Sequence, residues 1–297
     1  MNNEITFLCP AKINLSLAIT GRRSDGYHML DSVVVPIDWY DKLTITAAAD
    51  LSLSHSGDTQ GLPEPKDNLI IKAATRIARH ADIVNPGAKI HLHKHLPTGA
   101  GLGGGSSNAA ACLKGLNQLW QLGLDENELR GFALTLGADV PFFIEPRPAR
   151  MQGIGEKLAA IELPAQVLLL LIPEFHCSAT LVYQAHARLA TPGRKLLSQL
   201  TSEQAGVPFT TLLQMGNHLA PAILAVYPVL GDLCAALPQA QEWRFSGSGS
   251  CLFRRCSTLE NAQAIAARIG DSLAGIRVRT RVAATSASGP VSTAEII

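Results

Sequence analysis

The stretch Pro97–Leu113, PTGAGLGGGSSNAAACL, has five glycines within seven residues and then continues into an alanine-rich helical pattern. An ordinary turn needs one or two glycines, and each further glycine costs conformational entropy on folding. Glycines let backbone N–H groups converge on an anion, and a helix beginning near Ser106 or Ser107 would point the positive end of its dipole at the same place. The stretch therefore predicts a phosphate-binding loop, and we expect the phosphate to belong to a nucleotide.

Two better-known nucleotide motifs fit this stretch less well. Gly99 to Gly104 satisfies the G-x-G-x-x-G dinucleotide fingerprint, which also needs an acidic residue about 20 residues further on, after a second strand. The nearest candidate, Asp125, lies in a helix-capping context with no strand before it. The P-loop needs a lysine before the helix, and no charged residue lies between Pro97 and Leu113. An NAD-dependent oxidoreductase is thus disfavoured, and the cation for the phosphates must come from elsewhere in the chain.

A cation and a base can be sought among the charged residues. Lys12 and Asn14 share one face of a strictly alternating strand, about 7 Å apart at ~3.3 Å per residue, while the other face is apolar. Their face is either exposed to solvent or part of a site. Asp139, in LGADVPFFI, is the candidate base, although Asp before Val-Pro-Phe also fits a helix N-cap with proline in the first turn. Spacing alone leaves both questions open.

Two further groups of residues suggest chemistry less strongly. His91, His93 and His95 fall on one face of a predicted strand, a spacing that can bind a metal ion, but no carboxylate or cysteine lies beside them. Polar alternation on a half-exposed strand is the commoner explanation. The six cysteines show no C-x-x-C spacing and are predicted to be reduced, with neither a zinc site nor a disulfide framework. They are Cys9, Cys112, Cys177, Cys234, Cys251 and Cys256.

The composition is that of a globular protein without a strong charge. Of 297 residues, 47% are hydrophobic and 16% charged, and 25 basic against 24 acidic residues give a net charge of +1. Such a balance offers no electrostatic argument for a nucleic-acid or membrane partner. The N-terminus lacks a signal-peptide pattern, and the most apolar run, Val167–Pro173, is too short to cross a membrane. We predict a cytoplasmic protein, and no heptad or apolar stripe indicates its oligomeric state.

Hydrophobic periodicity predicts several helices and strands. The predicted helices cover residues 67–81 with Asp67-Asn68 as cap, residues from about 106, residues from about 125, and residues around 257–269. The predicted strands cover residues 12–19, 41–47, 88–97, 167–172 and 276–283.

The order of these elements predicts an α+β fold in two domains, because strands and helices alternate without regular βαβ spacing. Prolines together with Gly153 and Gly155 mark a junction, which divides the chain into domains 1–155 and 156–297. Three segments are predicted to lie outside regular structure. They are two variable loops, 54–68 and 189–207, and a weakly ordered tail from residue 285.

Four stretches, in order along the chain, resemble one enzyme family. PTGAGLGGGSSNAA resembles the GHMP kinase phosphate loop, P-x-x-x-G-L-G-[GS]-S-[ST]-A-A, with one extra glycine. PAKINLSLAITGRRSDGYHML, residues 10–30, is more specific and resembles the opening of the 4-diphosphocytidyl-2-C-methyl-D-erythritol kinases, which use ATP in the non-mevalonate route to isoprenoids. GADVPFFI (137–144) and FSGSGSCLF (245–253) are similar to later motifs of that family.

The resemblance implies a two-domain GHMP kinase fold with its active site in the cleft between the domains. It implies that Asp139 is the general base for the 2-hydroxyl of the substrate and that Lys12 is its electrostatic partner. ATP and Mg²⁺ are the implied cofactors, with a hydroxyl of Ser106 or Ser107 as a possible metal ligand. The implied ATP-binding residues are Pro97, Thr98, Gly99, Ala100, Gly101, Leu102, Gly103, Gly104, Gly105, Ser106 and Ser107.

The resemblance also implies a grip on cytosine. Tyr27 would stack on the base, His28 would read its polar edge, and Tyr183 would flank its other side, with Asn14 as a further substrate-binding residue. Two rival functions remain: a GHMP kinase for homoserine or mevalonate, and a non-catalytic nucleotide-binding relative. The Tyr27-His28 pair disfavours the first, and the presence of both Lys12 and Asp139 disfavours the second.

Overall fold

A computed structural model describes residues 4–189, 208–286 and 294–296. The strands of this part of the chain are β1 Ile5–Arg22, β2 His28–Thr46, β3 Leu51–Gly57, β4 Ala88–Lys94, β5 Ala149–Gly153, β6 Lys157–Ala160, β7 Val167–Pro173, β8 Arg244–Phe245, β9 Leu252–Cys256, β10 Ser272–Leu273, β11 Ile276–Ala284 and β12 Ala294–Ile296. The helices are α1 Leu69–His80, α2 Gly104–Leu119, α3 Glu126–Leu136, α4 Ala179–Arg188, α5 Phe209–Met215, α6 Ala220–Val226, α7 Val229–Ala236 and α8 Leu259–Ile269.

The strands form two sheets: the first contains β1 to β6 together with the C-terminal β12, and the second contains β7 to β11. The first has the order β12-β1-β2-β4-β3, with β5 paired to β2 and β6 paired to β5. Its pairs are antiparallel except for the parallel pair β3–β4. The second has the order β10-β11-β7-β9-β8 and is antiparallel throughout. The predicted α+β class is confirmed.

The long hairpin of β1 and β2 positions the residues near Lys12. Its register shifts at Pro10/Ala11 and again at Asn14/Ser16, so two irregularities bracket this lysine. Such bulges locally bend a strand and redirect its side chains. Almost every β1 residue from Ile5 to Ile19 is buried, because both faces of this strand are covered. One face packs against α2 and the other contributes to a core shared with β7 and β9.

Helix capping agrees with the sequence in two cases and differs in one. Asn68 caps α1 by accepting a hydrogen bond from Ile70 N at 2.9 Å, as predicted. Asp125 and Glu128 form a capping box at the start of α3. The start of α2 near Ser106 was predicted too late, because Gly103 takes a left-handed backbone with φ 72° and lets the helix begin at Gly104.

Several segments predicted to be irregular have regular structure. Residues 54–57 belong to β3, and Pro65–Asp67 form a 3-10 turn that leads into α1. In the tail, Ala294–Ile296 return to pair with β1, while 287–293 lie outside the described residues, as do 190–207 of the second predicted loop. None of the helices in the described ranges is long and apolar enough to span a membrane.

The junction between the sheets lies near the predicted domain boundary. The β5–β6 hairpin belongs to the first sheet, and Gly155 forms part of its turn. The second sheet begins with β7 at Val167. The division into domains 1–155 and 156–297 stays a prediction.

Candidate active site

The backbone of the glycine-rich loop lies so close to neighbouring residues that side chains at its glycine positions would clash with them. Gly99, Gly101 and Gly103 have φ between 72° and 74°, a left-handed conformation that favours glycine. A Cβ on Gly103 would lie 2.9 Å from Lys12 Cγ and 2.8 Å from Phe143 Cζ. The loop backbone therefore lies directly against the lysine, and the loop continues into the N-terminus of α2, where unpaired N–H groups favour an anion.

Both halves of the chain hold this loop in place. Lys12 N donates to Leu102 O at 2.9 Å, and Cys251 N donates to Ala100 O at 3.2 Å. The Ser246 hydroxyl donates to Gly101 O at 3.3 Å. The FSGSGS turn of the second half and the strand carrying Lys12 thus fix the loop from two sides.

Lys12 and Asn14 are buried, so the solvent-exposed interpretation of their strand face is wrong. Each is 3% exposed, since the 246–250 turn and the glycine loop cover this face. Lys12 Nζ donates to Asn14 Oδ1 at 2.5 Å, and Asn14 Nδ2 donates to the Ser32 hydroxyl at 2.8 Å. The same ammonium lies 3.4 Å from Asp139 Oδ2.

Asp139 does not cap a helix, which corrects the alternative interpretation of its sequence context. The 3-10 turn Pro141–Phe143 begins one residue later, with Val140 at the cap position and no side-chain cap hydrogen bond. The carboxylate faces Lys12 instead, and 33% of its side chain remains accessible. An accessible carboxylate beside a buried ammonium is an arrangement suited to proton transfer.

A cavity of about 410 Å³ lies beside the glycine loop. Apolar side chains, among them Leu69, Ile70 and Leu92, line one part of it. The loop lines another part, and residues 176–179 from the second half contribute a further wall. A pocket that combines an apolar slot with converging N–H groups suits a nucleoside triphosphate. Of the two predicted serines, Ser106 lines this cavity. The buried hydroxyl of Ser107 has no hydrogen-bond partner among the described residues.

A second cavity, of about 420 Å³, brings together the residues predicted to hold cytosine. Tyr27, His28 and Tyr183 line it, as does Ala138, the residue before Asp139. The ring centroids of His28 and Tyr183 are 5.2 Å apart, with the ring planes tilted by 34°. Tyr27 is 60% exposed, which leaves its ring available to a ligand.

Both rings at the base of this cavity are uncharged at neutral pH. Burial raises the pKa of the Tyr183 phenol, and the negative charge of Asp139 raises it further. Burial lowers the pKa of the His28 imidazole, as do the neighbouring His186 and Arg22. Uncharged aromatic rings suit a heterocyclic base, and the charge of Asp139 is close enough to act on the Tyr183 phenol.

Two of the three histidines, His91 and His93, lie on β4 and contact serine hydroxyls of β3, while His95 follows the end of β4. Their strand pairs with β3, where the Ser56 hydroxyl lies 3.0 Å from His91 Nε2 and 2.8 Å from His93 Nδ1. The rings of His93 and His95 contact each other edge to face at 4.4 Å. No three His, Cys, Asp or Glu side chains are grouped to hold a metal ion anywhere in the described ranges.

Sequence reasoning missed a buried polar group behind the glycine loop. Asp41 is fully buried and lies 2.7 Å from Lys94 Nζ, and it accepts a hydrogen bond from Asn108 Nδ2 at 2.9 Å. One signal was present: Lys94 falls on the buried side of the β4 alternation, in line with Ile90 and Leu92. A lysine at such a position needs a buried partner.

Similarity to known proteins extends over most of the chain. Residues 68–145 match the family described as GHMP kinases N terminal domain. The 4-diphosphocytidyl-2-C-methyl-D-erythritol kinase of Burkholderia pseudomallei (strain 668) is 37% identical over 263 residues, which cover 88% of this chain and 89% of the relative. The chain belongs to the 4-diphosphocytidyl-2-C-methyl-D-erythritol kinase family. A second member, from Methylococcus capsulatus, is 37% identical over 258 residues, covering 86% of this chain and 84% of its own.

Solved structures agree with this family. A 4-(cytidine 5'-diphospho)-2C-methyl-D-erythritol kinase superposes with a TM-score of 0.72 at 29% identity, covering 95% of this chain and all of the other. Homoserine kinase from Cytophaga hutchinsonii has a TM-score of 0.67 at 18% identity, covering 100% and 98% of the two chains, and this likeness concerns the fold. The predicted two-domain GHMP kinase fold is confirmed, and the chain is an ATP-dependent small-molecule kinase.

Proposed function

We propose that this kinase transfers the γ-phosphoryl group of ATP to the 2-hydroxyl of 4-diphosphocytidyl-2-C-methyl-D-erythritol. One observation carries the proposal. The Lys12–Asp139 pair stands between the glycine loop, which touches Lys12 through Gly103, and the aromatic cavity, which reaches Ala138. A phosphoryl donor on one side and a cytidine-anchored alcohol on the other would therefore meet at this pair.

Asp139 is the general base of the proposed reaction. Its carboxylate accepts the proton of the 2-hydroxyl as that oxygen attacks the γ-phosphorus. The new bond joins the substrate oxygen to the phosphorus. The bond between the γ-phosphorus and the β–γ bridging oxygen breaks, and ADP leaves with the electron pair. The accessible third of the Asp139 side chain is the part that would meet the hydroxyl.

Lys12 and the loop supply fixed positive charge where negative charge develops. The ammonium is held by Asn14 at 2.5 Å and is almost fully buried, so it is positioned before substrate binds. Preorganised charge in a site of low polarity lowers the barrier most, because no reorganisation accompanies the reaction. The backbone N–H groups of the loop and of the start of α2 would bind the β-phosphate.

The Ser106 and Ser107 hydroxyls are the protein groups that would hold a Mg²⁺ ion, and such an ion would supply positive charge to offset the negative charge of the phosphates. The donor set fits an ion bound mainly by the substrate. The buried Ser107 hydroxyl has no partner among the described residues, and Ser106 lines the nucleotide cavity. A hydroxyl of one of these serines would be the ligand from the protein. Hydroxyl and phosphate oxygens are hard ligands that this ion prefers.

The aromatic cavity would select the cytidine part of the substrate. The exposed Tyr27 ring would stack on the base, with Tyr183 on the other side and His28 at the polar edge. Neither homoserine nor mevalonate has a heterocycle to fill this space. The cavity therefore favours a cytidine diphosphate-linked polyol over these two acceptors.

Acceptor preference tests this function. We expect ADP release from ATP with the cytidine diphosphate-linked methylerythritol and none above background with mevalonate or homoserine. A coupled ADP assay measures all three, and phosphorus NMR of the product locates the new phosphate. Turnover with mevalonate or homoserine instead would overturn the proposal, and ATP binding without turnover of any acceptor would favour a non-catalytic relative.

Replacing Tyr27 by alanine should weaken substrate binding selectively. Stacking of a base on an aromatic ring contributes about 1–3 kcal/mol, so KM for the cytidine substrate should rise roughly 5- to 150-fold. KM for ATP should stay unchanged, and the fold should persist because the ring is 60% exposed. Steady-state kinetics with each substrate varied in turn measures this difference. Tyr27→Phe is the matched control, since it keeps the ring, and an equal rise in both KM values would contradict the stacking role.

A further inference from the structure

The loop between α5 and α6 is fixed to the strand that carries Lys12. Leu17 N donates to Gly216 O at 3.0 Å, and His218 N donates to Leu17 O at 2.8 Å. Asn217, between these two loop residues, forms an isolated β-bridge with Leu17. These contacts join a loop from the second half of the chain to β1 of the first sheet.

The side chain of Asn217 holds the turn between β8 and β9. Asn217 Nδ2 donates to Phe245 O at 3.0 Å and to Gly247 O at 2.7 Å. Asn217 Oδ1 accepts a hydrogen bond from Leu219 N at 2.8 Å. This network fixes the orientation of the amide, because only its nitrogen can donate to the two carbonyl oxygens. Both N–H bonds of the amide are therefore used to hold the turn.

The turn that Asn217 holds covers the ammonium of Lys12. A Cβ on Gly247 would lie 3.3 Å from Lys12 Nζ and 3.2 Å from Asn14 Oδ1, so the turn leaves little room for a side chain above these groups. The hydroxyl of Ser246, the residue before, accepts a hydrogen bond from Asn14 N at 3.3 Å. This cover contributes to the burial of Lys12, which is 3% exposed.

The position of the Lys12 ammonium depends on this cover. A lysine side chain is long and flexible, and its ammonium is strongly hydrated in water. Without the turn, water would compete for Nζ with the oxygens of Asn14 and Asp139, which lie 2.5 Å and 3.4 Å away. A charge stabilises a transition state most when it is fixed in place and water is excluded. A residue that holds the turn would therefore act on the chemistry through Lys12.

We propose that Asn217 is a positioning residue for Lys12: it holds the Gly247 turn over the ammonium and so keeps this charge fixed and shielded from water. Asn217 lines neither the nucleotide cavity nor the aromatic cavity, so it is not placed to touch a substrate. The inference rests on the proposed function in so far as Lys12 is taken to stabilise the transferred phosphoryl group.

The first test replaces Asn217 by alanine, which removes both donors to the turn. We expect kcat to fall roughly 10-fold, less than when a preorganised contact is lost altogether, because the ammonium is still present. KM for each substrate should stay within about twofold, since no substrate contact is removed. Asn261→Ala, at an exposed position of α8, is the matched control and should keep normal kcat. Normal kcat in Asn217→Ala, together with a reduced kcat in Lys12→Met, would overturn the proposal.

The second test repeats the substitution in a Lys12→Met background. A residue that acts through Lys12 has nothing to position once the ammonium is gone, so kcat should fall less than about twofold further. A merely structural role of Asn217 would lower kcat by the same factor in both backgrounds, and that result would overturn the proposal. Should Asn217→Ala fail to fold, Asn217→Ser is used instead, since its hydroxyl keeps one donor toward the turn.

Chemical labelling of lysines tests the inference without turnover. Acetic anhydride modifies accessible amines, and mass spectrometry of the whole protein after digestion reports the rate at each lysine. Lys12 and Lys94 are each 3% exposed, but Lys94 is held by Asp41 of the first sheet. We expect Lys12 to be labelled at least about 10-fold faster in Asn217→Ala, because only its cover is loosened, with Lys94 and the exposed Lys72 unchanged.

The labelling separates failure of this inference from failure of the proposed function. An equal rise at Lys12 and Lys94 would mean general loosening, and no rise at Lys12 would mean that the turn stays in place without Asn217. Either result overturns the inference. Faster labelling at Lys12 alone supports it, even if Lys12→Met and Asn217→Ala both keep normal kcat, and in that case the proposed role of Lys12 in phosphoryl transfer is wrong.

Discussion

Asp139→Asn should lower kcat by roughly 10²- to 10⁴-fold, the usual contribution of a positioned general base, while the protein remains folded. An amide cannot accept the proton of the attacking hydroxyl at neutral pH, so the nucleophile would lose its base. The fold should tolerate the change because Asp139 caps no helix and its side chain is one-third accessible. Single-turnover phosphoryl transfer and thermal unfolding measure the two effects separately.

Comparing kcat, kcat/KM and ATP affinity in this variant distinguishes a catalytic from a structural role for Asp139. A base that acts in the transition state should lower kcat and kcat/KM for ATP together, with ATP affinity nearly unchanged. Asp271→Asn is a matched control, because Asp271 is exposed and lies outside both cavities, and its variant should show normal kinetics. A folded Asp139→Asn enzyme with near-normal kcat would remove the base from the proposed mechanism.

The glycine loop, the strand alternation and the helix caps could be predicted from the sequence, because each depends on residues that are close together along the chain. Five glycines in seven residues predicted a loop that approaches other atoms closely, and a Cβ on Gly103 would indeed meet Lys12 and Phe143 within 3 Å. Alternation predicted strand β1 and the shared face of Lys12 and Asn14. Capping residues predicted the starts of α1 and α3. Each of these inferences uses residues within a few positions of one another.

The burial of Lys12 could not be predicted in this way, because residues far along the chain cover it. The Ser246 hydroxyl that binds Asn14 N is 232 positions away, and spacing gives no information about which turn packs on which strand. The wrong capping interpretation of Asp139 has a similar origin. The 3-10 turn starts at Pro141 rather than at Val140, and the partner that holds the carboxylate lies on β1.

The burial of Asp41 was not predicted, although the position of Lys94 on the buried face of β4 indicated that a buried carboxylate lies nearby. Lys94 breaks an apolar face of alternating residues, which implies a buried carboxylate near the end of its strand. The sequence offers many carboxylates, and only the antiparallel pairing of β2 with β4 brings Asp41 beside this lysine. A pattern can therefore indicate that a buried ion pair exists without identifying its second member.

Lys12→Met should lower kcat by roughly 10²- to 10³-fold, the loss typical when one preorganised electrostatic contact to a transition state is removed. Methionine fills a similar volume without the charge, so packing against the glycine loop is kept. The free energy of unfolding should fall by about 1–3 kcal/mol, because the buried Asn14 Oδ1 loses its donor, while the Asp139 carboxylate left behind is accessible to solvent. Single-turnover rates measure the effect on phosphoryl transfer, and unfolding midpoints measure the effect on stability. Lys72→Met is the control: Lys72 pairs with Asp67 on the exposed surface, so its replacement should change neither the rate nor the midpoint.

The double variant Lys12→Met with Asp139→Asn shows whether the two residues act in one step. When two groups stabilise the same transition state, removing the second one after the first costs little more. The fold-loss in kcat of the double variant should therefore be far smaller than the product of the two single fold-losses. If the two residues acted independently, the two fold-losses in kcat would multiply. The 3.4 Å separation of Lys12 Nζ and Asp139 Oδ2 predicts strong coupling, since the two opposite charges form an ion pair. A fully multiplicative loss in folded proteins would mean that the ammonium acts on bound ATP alone, and a Lys12→Met enzyme with normal kcat would mean that its charge plays no part in phosphoryl transfer.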